Sequence, residues 1–187
     1  MKYLFLYLIF SLSILGSSTP KAYITKNFSS TDGLANNIVS SIVQDEKGFL
    51  WIGTYGGLSR YDGREFKNYT MSSGLNFDAV RTVFVDKASE DLWVGTELGL
   101  TIIKKGKDIA NNKKKPFLEK FIGKDIRAIN KTKSGEYLIG TTDGLYKIEN
   151  NEFKEIMKNI HIQIVYIASD ESVWIGTKRK GLYKLNK

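Results

Sequence analysis

The stretch Trp51-Ile52-Gly53-Thr54-Tyr55-Gly56-Gly57-Leu58 decides how this 187-residue chain is read, because its pattern returns three times. An aromatic-aliphatic pair runs into Gly-Thr, and after a short gap comes Gly-Leu. The further copies are Trp93-Val94-Gly95-Thr96 with Gly99-Leu100, Leu138-Ile139-Gly140-Thr141 with Gly144-Leu145, and Trp174-Ile175-Gly176-Thr177 with Gly181-Leu182. Their first residues lie 42, 45 and 36 positions apart. Self-similarity at a period of roughly 40–45 residues marks an array of supersecondary units, and with a strand signal it marks propeller blades.

Around each copy the chain reads as short strands joined by tight turns. The first unit has strands at 38–43, 49–54, 58–61 and 66–69, with Asp45-Glu46-Lys47-Gly48 and Asp62-Gly63 as hairpin turns. The second has 80–85, 92–96, 100–103 and 117–121, its last two separated by a lysine-rich insertion at 104–116. The third has 126–130, 137–141, 145–148 and 153–157. The fourth has 162–168, 173–177 and 182–185 and lacks an outer strand, for which a lone strand at 22–28 is the counterpart. In closed propellers such an edge is completed by strands from both chain ends. No stretch keeps a 3.6-residue apolar period, so the expected fold is all-β. It comprises four four-stranded antiparallel blades spanning 38–69, 80–121, 126–157 and 162–187. They form either an open partial propeller with two exposed apolar faces or a closed four-bladed ring.

Blades pack face to face, so a middle strand is buried on both sides and reads as an apolar run, as in Phe49-Leu50-Trp51-Ile52. Trp51, Trp93 and Trp174 are expected to fill the gaps between sheets. Gly53, Gly95, Gly140 and Gly176 leave room where backbones converge. Gly57, Gly99, Gly144 and Gly181 are assigned turn conformations of positive φ.

Charged residues make up 26% of the chain, which excludes a polytopic membrane protein, and ten Tyr, ten Phe and three Trp are too many aromatics for a disordered one. The absence of cysteine removes disulfides, thiol nucleophiles and Cys-ligated metals. His161 is the lone histidine and cannot build a multi-histidine metal site, so neither metal nor cofactor is implied. Residues 1–22 have the layout of a secretory signal peptide: Lys2, an apolar run from Tyr3 to Leu15, small residues Gly16-Ser17-Ser18, then Pro20. The run is shorter than the ~20 residues of a spanning helix. Cleavage after Ser18 or Ala22 would leave an exported, periplasmic protein with no membrane span, and the lack of cysteine argues against a lipid anchor. The formal net charge of +8 falls to +6 without Lys2 and Lys21. Much of the excess sits at Lys104, Lys105, Lys107, Lys113, Lys114 and Lys115. No aromatic interleaves them to stack on bases, so they read as a solvated insertion and not as a nucleic-acid site.

In a propeller the loops between second and third strands open on the same face as the loops between blades. The first set presents Tyr55, Glu97, Asp143, Lys178 and Arg179, and the second Asn36, Asn37, Asn76, Phe77 and Asp78. Amides, charges and an aromatic suit an oligosaccharide, with hydroxyls to hydrogen-bond and an apolar face to stack. The candidate binding residues are therefore Asn36, Asn37, Tyr55, Asn76, Glu97, Asp143, Lys178 and Arg179. No catalytic set emerges: the chain has no nucleophile elbow, phosphate loop or metal-ligand spacing, and no carboxylate pair placed to split its pKa values.

The run Gly33-Leu34-Ala35-Asn36-Asn37-Ile38-Val39, then Gln44-Asp45-Glu46-Lys47-Gly48-Phe49-Leu50-Trp51-Ile52-Gly53-Thr54, then Gly57-Leu58-Ser59-Arg60-Tyr61-Asp62 resembles the two-component regulator propeller repeat. The second unit is similar, from Gly74-Leu75-Asn76 to Leu92-Trp93-Val94-Gly95-Thr96. Units three and four keep Gly-Thr and Gly-Leu but lack the preceding Gly-Leu-Xaa-Asn, and unit three has Leu138 in place of Trp. The resemblance implies the exported sensor part of bacterial hybrid two-component receptors, many of which detect carbohydrate fragments. It implies seven-bladed propellers, then a β-sandwich, a membrane helix, a histidine kinase and a DNA-binding output. This chain would then supply about half a propeller and no kinase, as a truncated product or a standalone relative. The resulting expectation is a non-enzymatic periplasmic sensor segment that recognises a carbohydrate. Two alternatives stay open: an interaction scaffold pairing through open edges, as a homodimer or with further blades, and a propeller-fold polysaccharide lyase or hydrolase.

Overall fold

Gly-Thr recurs because the threonine closes a turn. Thr54 Oγ1 donates to the Gly57 carbonyl at 2.8 Å, Thr96 to Gly99 at 2.9 Å, Thr141 to Gly144 at 3.0 Å and Thr177 to Gly181 at 2.8 Å. Each clip ties the end of a second strand to the start of a third and so sets the hairpin register. The computed structural model describes residues 23–105 and 116–185; the signal-peptide reading of 1–22 and most of the lysine-rich insertion lie outside them.

Among the described residues, fourteen strands form four antiparallel sheets. Blade 1 holds β1 (Val39–Gln44), β2 (Leu50–Thr54), β3 (Gly57–Tyr61) and β4 (Phe66–Tyr69). Blade 2 holds β5 (Val80–Asp86), β6 (Asp91–Thr96) and β7 (Gly99–Ile103). Blade 3 holds β8 (Ile126–Lys131), β9 (Tyr137–Thr141), β10 (Gly144–Glu149) and β11 (Glu152–Lys158), and blade 4 holds β12 (Ile162–Ile167), β13 (Val173–Thr177) and β14 (Leu182–Leu185). Within each sheet the strands pair in chain order as a meander.

Three cores lie between consecutive blades. Trp51, Leu58, Val80, Val83 and Val94 join blades 1 and 2. Trp93, Leu100, Ile126, Ile129 and Ile139 join blades 2 and 3. Ala128, Leu138, Leu145, Ile162 and Ile175 join blades 3 and 4. At each interface the first residue of an inner strand enters a notch over the glycine of the preceding blade's second strand. A Cβ at Gly53 would come within 2.7 Å of Val80 Cγ1, at Gly95 within 2.7 Å of Ile126 Cγ2, and at Gly140 within 2.5 Å of Ile162 Cγ2. Val80, Ile126 and Ile162 are fully buried. A charged clamp adds to the second interface: the buried Asp86 carboxylate accepts from Lys131 Nζ at 2.8 Å and from the Tyr137 hydroxyl, and Tyr137 stacks on Trp93 at 4.0 Å.

The arc stays open. Ile38 and Ile42 at one end are 55% and 61% exposed, and Ile164 and Tyr166 at the other 58% and 60%, so these two faces do not cover each other. The closed four-bladed ring is thereby excluded for this structure.

Four sequence expectations need correction. Residues 117–121 are not a strand but part of a 3-10 helix, Pro116–Phe121. The spacing of Phe117 and Phe121 satisfies strand alternation and a helical turn alike, and Pro116 brings no N–H to a ladder. Both phenylalanines are buried in the core between blades 2 and 3. Residues 23–28 are extended but belong to no sheet; Phe28 packs on Tyr61 and Phe66 of blade 1, at 5.2 and 5.6 Å between centroids, and not on blade 4. The described blades accordingly hold four, three, four and three strands, where sixteen strands had been expected. Gly144 does not adopt positive φ, unlike Gly57, Gly99 and Gly181; it is small because a Cβ there would sit 2.3 Å from the Met157 carbonyl oxygen. Finally, Trp174 stays half-buried because no blade covers its face, with Lys184 Nζ 5.1 Å above its ring.

Candidate functional site

Every inner strand slips register by one residue at its start. The shift falls between Val39 and Ser41, Val80 and Thr82, Ile126 and Ala128, and Ile162 and Ile164. A bulge removes one residue from the ladder and re-aims its side chain. The residues released are Ser40, Arg81, Arg127 and Gln163. Each second-to-third-strand loop bonds the residue just before its own blade's bulged strand: Tyr55 N donates to Ile38 O, Glu97 N to Ala79 O, Thr142 N to Asp125 O and Lys178 N to His161 O. Both loop sets therefore meet on one face, as expected.

Side chains join there across the blades. Arg81 of blade 2 lies with its guanidinium 4.5 Å from the centre of the Tyr55 ring of blade 1. It donates to Glu97 Oε2 at 2.9 Å and approaches Asp125 Oδ1 at 3.6 Å. The other oxygen of Asp125 accepts from Arg127 at 2.7 Å. Arg127 and Lys178 both act on His161, whose ring burial together with these cations pulls its pKa below the ordinary histidine value, so it is neutral at pH 7. Beside this row, Lys124 pairs with Asp143, and the single Thr141 hydroxyl proton is shared between the Asp143 carboxylate and the Gly144 carbonyl. Burial alone would raise the Asp143 carboxyl, but Lys124 and Thr141 hold it below the usual carboxylate range.

Arg127 Nε and His161 Nε2 are buried without a hydrogen-bond partner, and Arg81 Nε and Asp125 Oδ1 face each other only at 3.6 Å. Such atoms are costly in a folded protein and mark places where a ligand or water completes the bonding. A cavity of 290 Å³ opens beside His161 at the blade 4 end of the row, lined by Asn159, Ile160, His161, Thr177, Lys178, Arg179 and Lys180. Another, of 270 Å³, lies between blades 1 and 2 at the opposite ends of the strands, beside Trp51, Arg60 and Tyr69.

Of the eight residues read from sequence, Tyr55 and Glu97 touch the row, Lys178 and Arg179 line its cavity, and Asp143 flanks it. Asn36, Asn37 and Asn76 hold their own loops. Asn36 Oδ1 accepts from Ile38 N at 2.8 Å, Asn37 Oδ1 from Ser30 N at 2.7 Å, and Asn76 Nδ2 donates to Leu100 O at 2.8 Å. Sequence reading missed Arg81, Asp125, Arg127, His161 and Gln163. The signal was available in four aligned triplets: Ile38-Val39-Ser40, Ala79-Val80-Arg81, Asp125-Ile126-Arg127 and His161-Ile162-Gln163. The central residue is always β-branched, whereas the flanks change from apolar to titratable.

A four-bladed propeller arc with a polar row along one mouth defines the class. Residues 33–56 match the two component regulator propeller family, so the chain carries a repeat of that family at its first blade. A 66-residue stretch is 41% identical to histidine kinase P4 of Formosa agariphila, covering 35% of this chain and 4% of that protein. The fold is shared with the extracellular domains of two hybrid two component systems of B. thetaiotaomicron. They superpose with TM-scores of 0.68 and 0.66 at 19% and 22% identity, over 87% and 86% of this chain and 23% of each of theirs. Virginiamycin B lyase of Staphylococcus aureus also shares it, with a TM-score of 0.53 at 13% identity over 80% of this chain and 55% of the lyase. The chain thus spans under a quarter of the two extracellular domains it superposes on. No helix among the described residues is long and apolar enough to cross a membrane.

Proposed function

We propose that this chain is a periplasmic, non-enzymatic ligand-recognition segment of a two-component regulatory system, and that it binds a carbohydrate across the row from Tyr55 to Lys178. The observation that supports this is the coincidence of bulged arginines with buried, unpartnered polar atoms on the face where the repeat diverges. Planar guanidinium and carboxylate groups hydrogen-bond vicinal hydroxyls in pairs, and the 43%-exposed Tyr55 offers a ring to an apolar sugar face. Both carboxylates of the row are ion-paired, Asp125 between two arginines and Glu97 with Arg81, an arrangement that favours their charged, acceptor-only form over a proton donor. The virginiamycin B lyase likeness concerns the fold alone.

Calorimetric titration against oligosaccharide pools, with products analysed afterwards, tests the reading. Saturable heat with unchanged sugar, lost in Arg127→Gln, is the expected result. Cleaved or unsaturated products would refute the non-enzymatic role, and heat unaffected by Arg127→Gln would refute the site.

A further inference from the structure

We infer that the cavity between blades 1 and 2, at the strand ends away from the mouth, is a second binding site, one that takes a single small aromatic acid. Its origin lies in the strand register. Trp51 faces Arg60 and Arg60 faces Lys67 across β2, β3 and β4. Residues opposed across antiparallel strands share one side of the sheet, so the three form a row on one face of blade 1. All three line the 270 Å³ cavity together with Tyr69, and Leu92 and Ile103 of blade 2 form the facing wall.

The same row is filled or neutralised in the next two blades. In blade 2 Trp93 faces Ile102, and Phe117 stacks on Trp93 with ring centres 6.1 Å apart, all three buried in one core. In blade 3 Leu138 faces Lys147 and Lys147 faces Lys154, but Glu136 at 2.6 Å and Glu149 at 2.9 Å neutralise Lys147. Counted from the Gly-Thr motif, Glu136 and Glu149 stand where blade 1 has Phe49 and Asp62. Phe49 carries no charge, and Asp62 Oδ1 accepts from the Arg64 and Glu65 N–H groups of its own turn, at 2.8 and 2.9 Å. Arg60 and Lys67 consequently enter no ion pair among the described residues.

Each lies instead over a ring, Arg60 at 4.5 Å from the centre of Phe49 and Lys67 Nζ at 5.4 Å from that of Tyr69. A ring holds a cation in place without neutralising it. Arg60 Nε is buried with no hydrogen-bond partner, so the charge is partly desolvated as well as unpaired, and such a cation is costly until an anion meets it. The acids of the lining do not serve. Asp45 accepts from Lys47 N, Phe49 N and Trp51 Nε1, and Glu90 pairs with Lys105. Glu46 is exposed, where solvent screens it. Two unpaired cations thus stand beside the rings of Trp51 and Tyr69, whose centres are 5.7 Å apart. Guanidinium and ammonium groups hold a carboxylate or phosphate by charge-assisted hydrogen bonds, and the rings pack against an aromatic body. The volume falls just below the range of about 300–1,000 Å³ usual for ligand pockets, which suits one ring with its acid group and not an oligosaccharide.

Calorimetric titration of the chain with phenyl phosphate, benzoate, inorganic phosphate and benzyl alcohol tests the site. Phenyl phosphate and benzoate should each bind once per chain. Inorganic phosphate lacks the ring and benzyl alcohol the charge, so both should bind roughly tenfold more weakly or worse. Arg60→Gln should weaken phenyl phosphate binding roughly tenfold or more, and it should leave the melting temperature of the unliganded chain unchanged or higher, because it removes an unpaired charge. Lys67→Gln, at an exposed position, should weaken binding several-fold and serves if Arg60→Gln does not fold. Arg127→Gln at the mouth should leave it unchanged, which separates this site from the carbohydrate row. No saturable heat with either aromatic acid would overturn the inference. So would benzyl alcohol or inorganic phosphate binding as well as phenyl phosphate, or affinity that survives both Arg60→Gln and Lys67→Gln.

Discussion

Replacing Gly140 by alanine tests the knob-and-notch joint, because the structure says which atom objects. The added Cβ would lie 2.5 Å from Ile162 Cγ2, with Ile162 Cβ at 3.1 Å and Ala128 Cβ at 3.3 Å. Ile162 is fully buried and cannot swing aside, so overpacking should cost about 2 kcal/mol. Ile162→Ala alone should cost roughly 3–4 kcal/mol, the loss of a buried isoleucine with the cavity it leaves. The double variant removes the clashing Cγ2, and the remaining contacts at 3.1 and 3.3 Å need only small shifts. It should therefore be no less stable than Ile162→Ala by more than about 0.5 kcal/mol, a coupling of at least ~1 kcal/mol. Gly176→Ala is the control: its Cβ would meet only Ile164, which is exposed and free to move. Urea unfolding followed by tryptophan fluorescence measures all four. Additive losses for Gly140→Ala and Ile162→Ala would show that the joint does not work as described.

The remaining predictions concern the clamp, the clip and the mouth. Burial would raise the Asp86 carboxyl, but Lys131, Tyr137, Ser89 and the Ala88 N–H hold it well below the ordinary value. A depressed folded pKa gives stability that is present above the unfolded value of about 4 and lost as pH falls through the folded one. Thermal melts should thus fall below pH 4, and Asp86→Asn should flatten that fall while costing roughly 3 kcal/mol at pH 7, where Lys131 loses its partner. Thr96→Val removes the donor to the Gly99 carbonyl at a fully buried position and should cost about 1–3 kcal/mol by denaturant titration. For any sugar found to bind, Arg127→Gln should weaken affinity roughly 10- to 100-fold without lowering the melting temperature by more than a few degrees.

The scaffold was legible in sequence because packing repeats. Gly53, Gly95 and Gly140 each face the same kind of neighbour, so the same residue stands at each position. The 3-10 helix at Pro116–Phe121 was not legible, since two phenylalanines four apart fit either period and tertiary burial chose between them. The mouth was half legible. Loop residues such as Tyr55 and Glu97 stand next to the motif and were found. Arg81, Arg127 and His161 sit inside or against strands, where a bulge turns a ladder position into a surface one, and a bulge leaves no mark in a single strand's hydropathy. Asn36, Asn37 and Asn76 look like site residues for the reason they serve as loop staples: short amides reach nearby backbone.

The bulged triplets have a consequence for how such a chain can change. In the last three, the central side chain is committed to the preceding blade, while Arg81, Arg127 and Gln163 behind it are released from the ladder toward the mouth. Stability and selectivity are thereby written on different letters of the same three-letter word. A mutation from the exposed Gln163 to arginine would alter one reading position and leave the joints of the arc as they were. The words are coupled where Arg81 of one meets Asp125 of the next, so a change in one letter is felt by its neighbour.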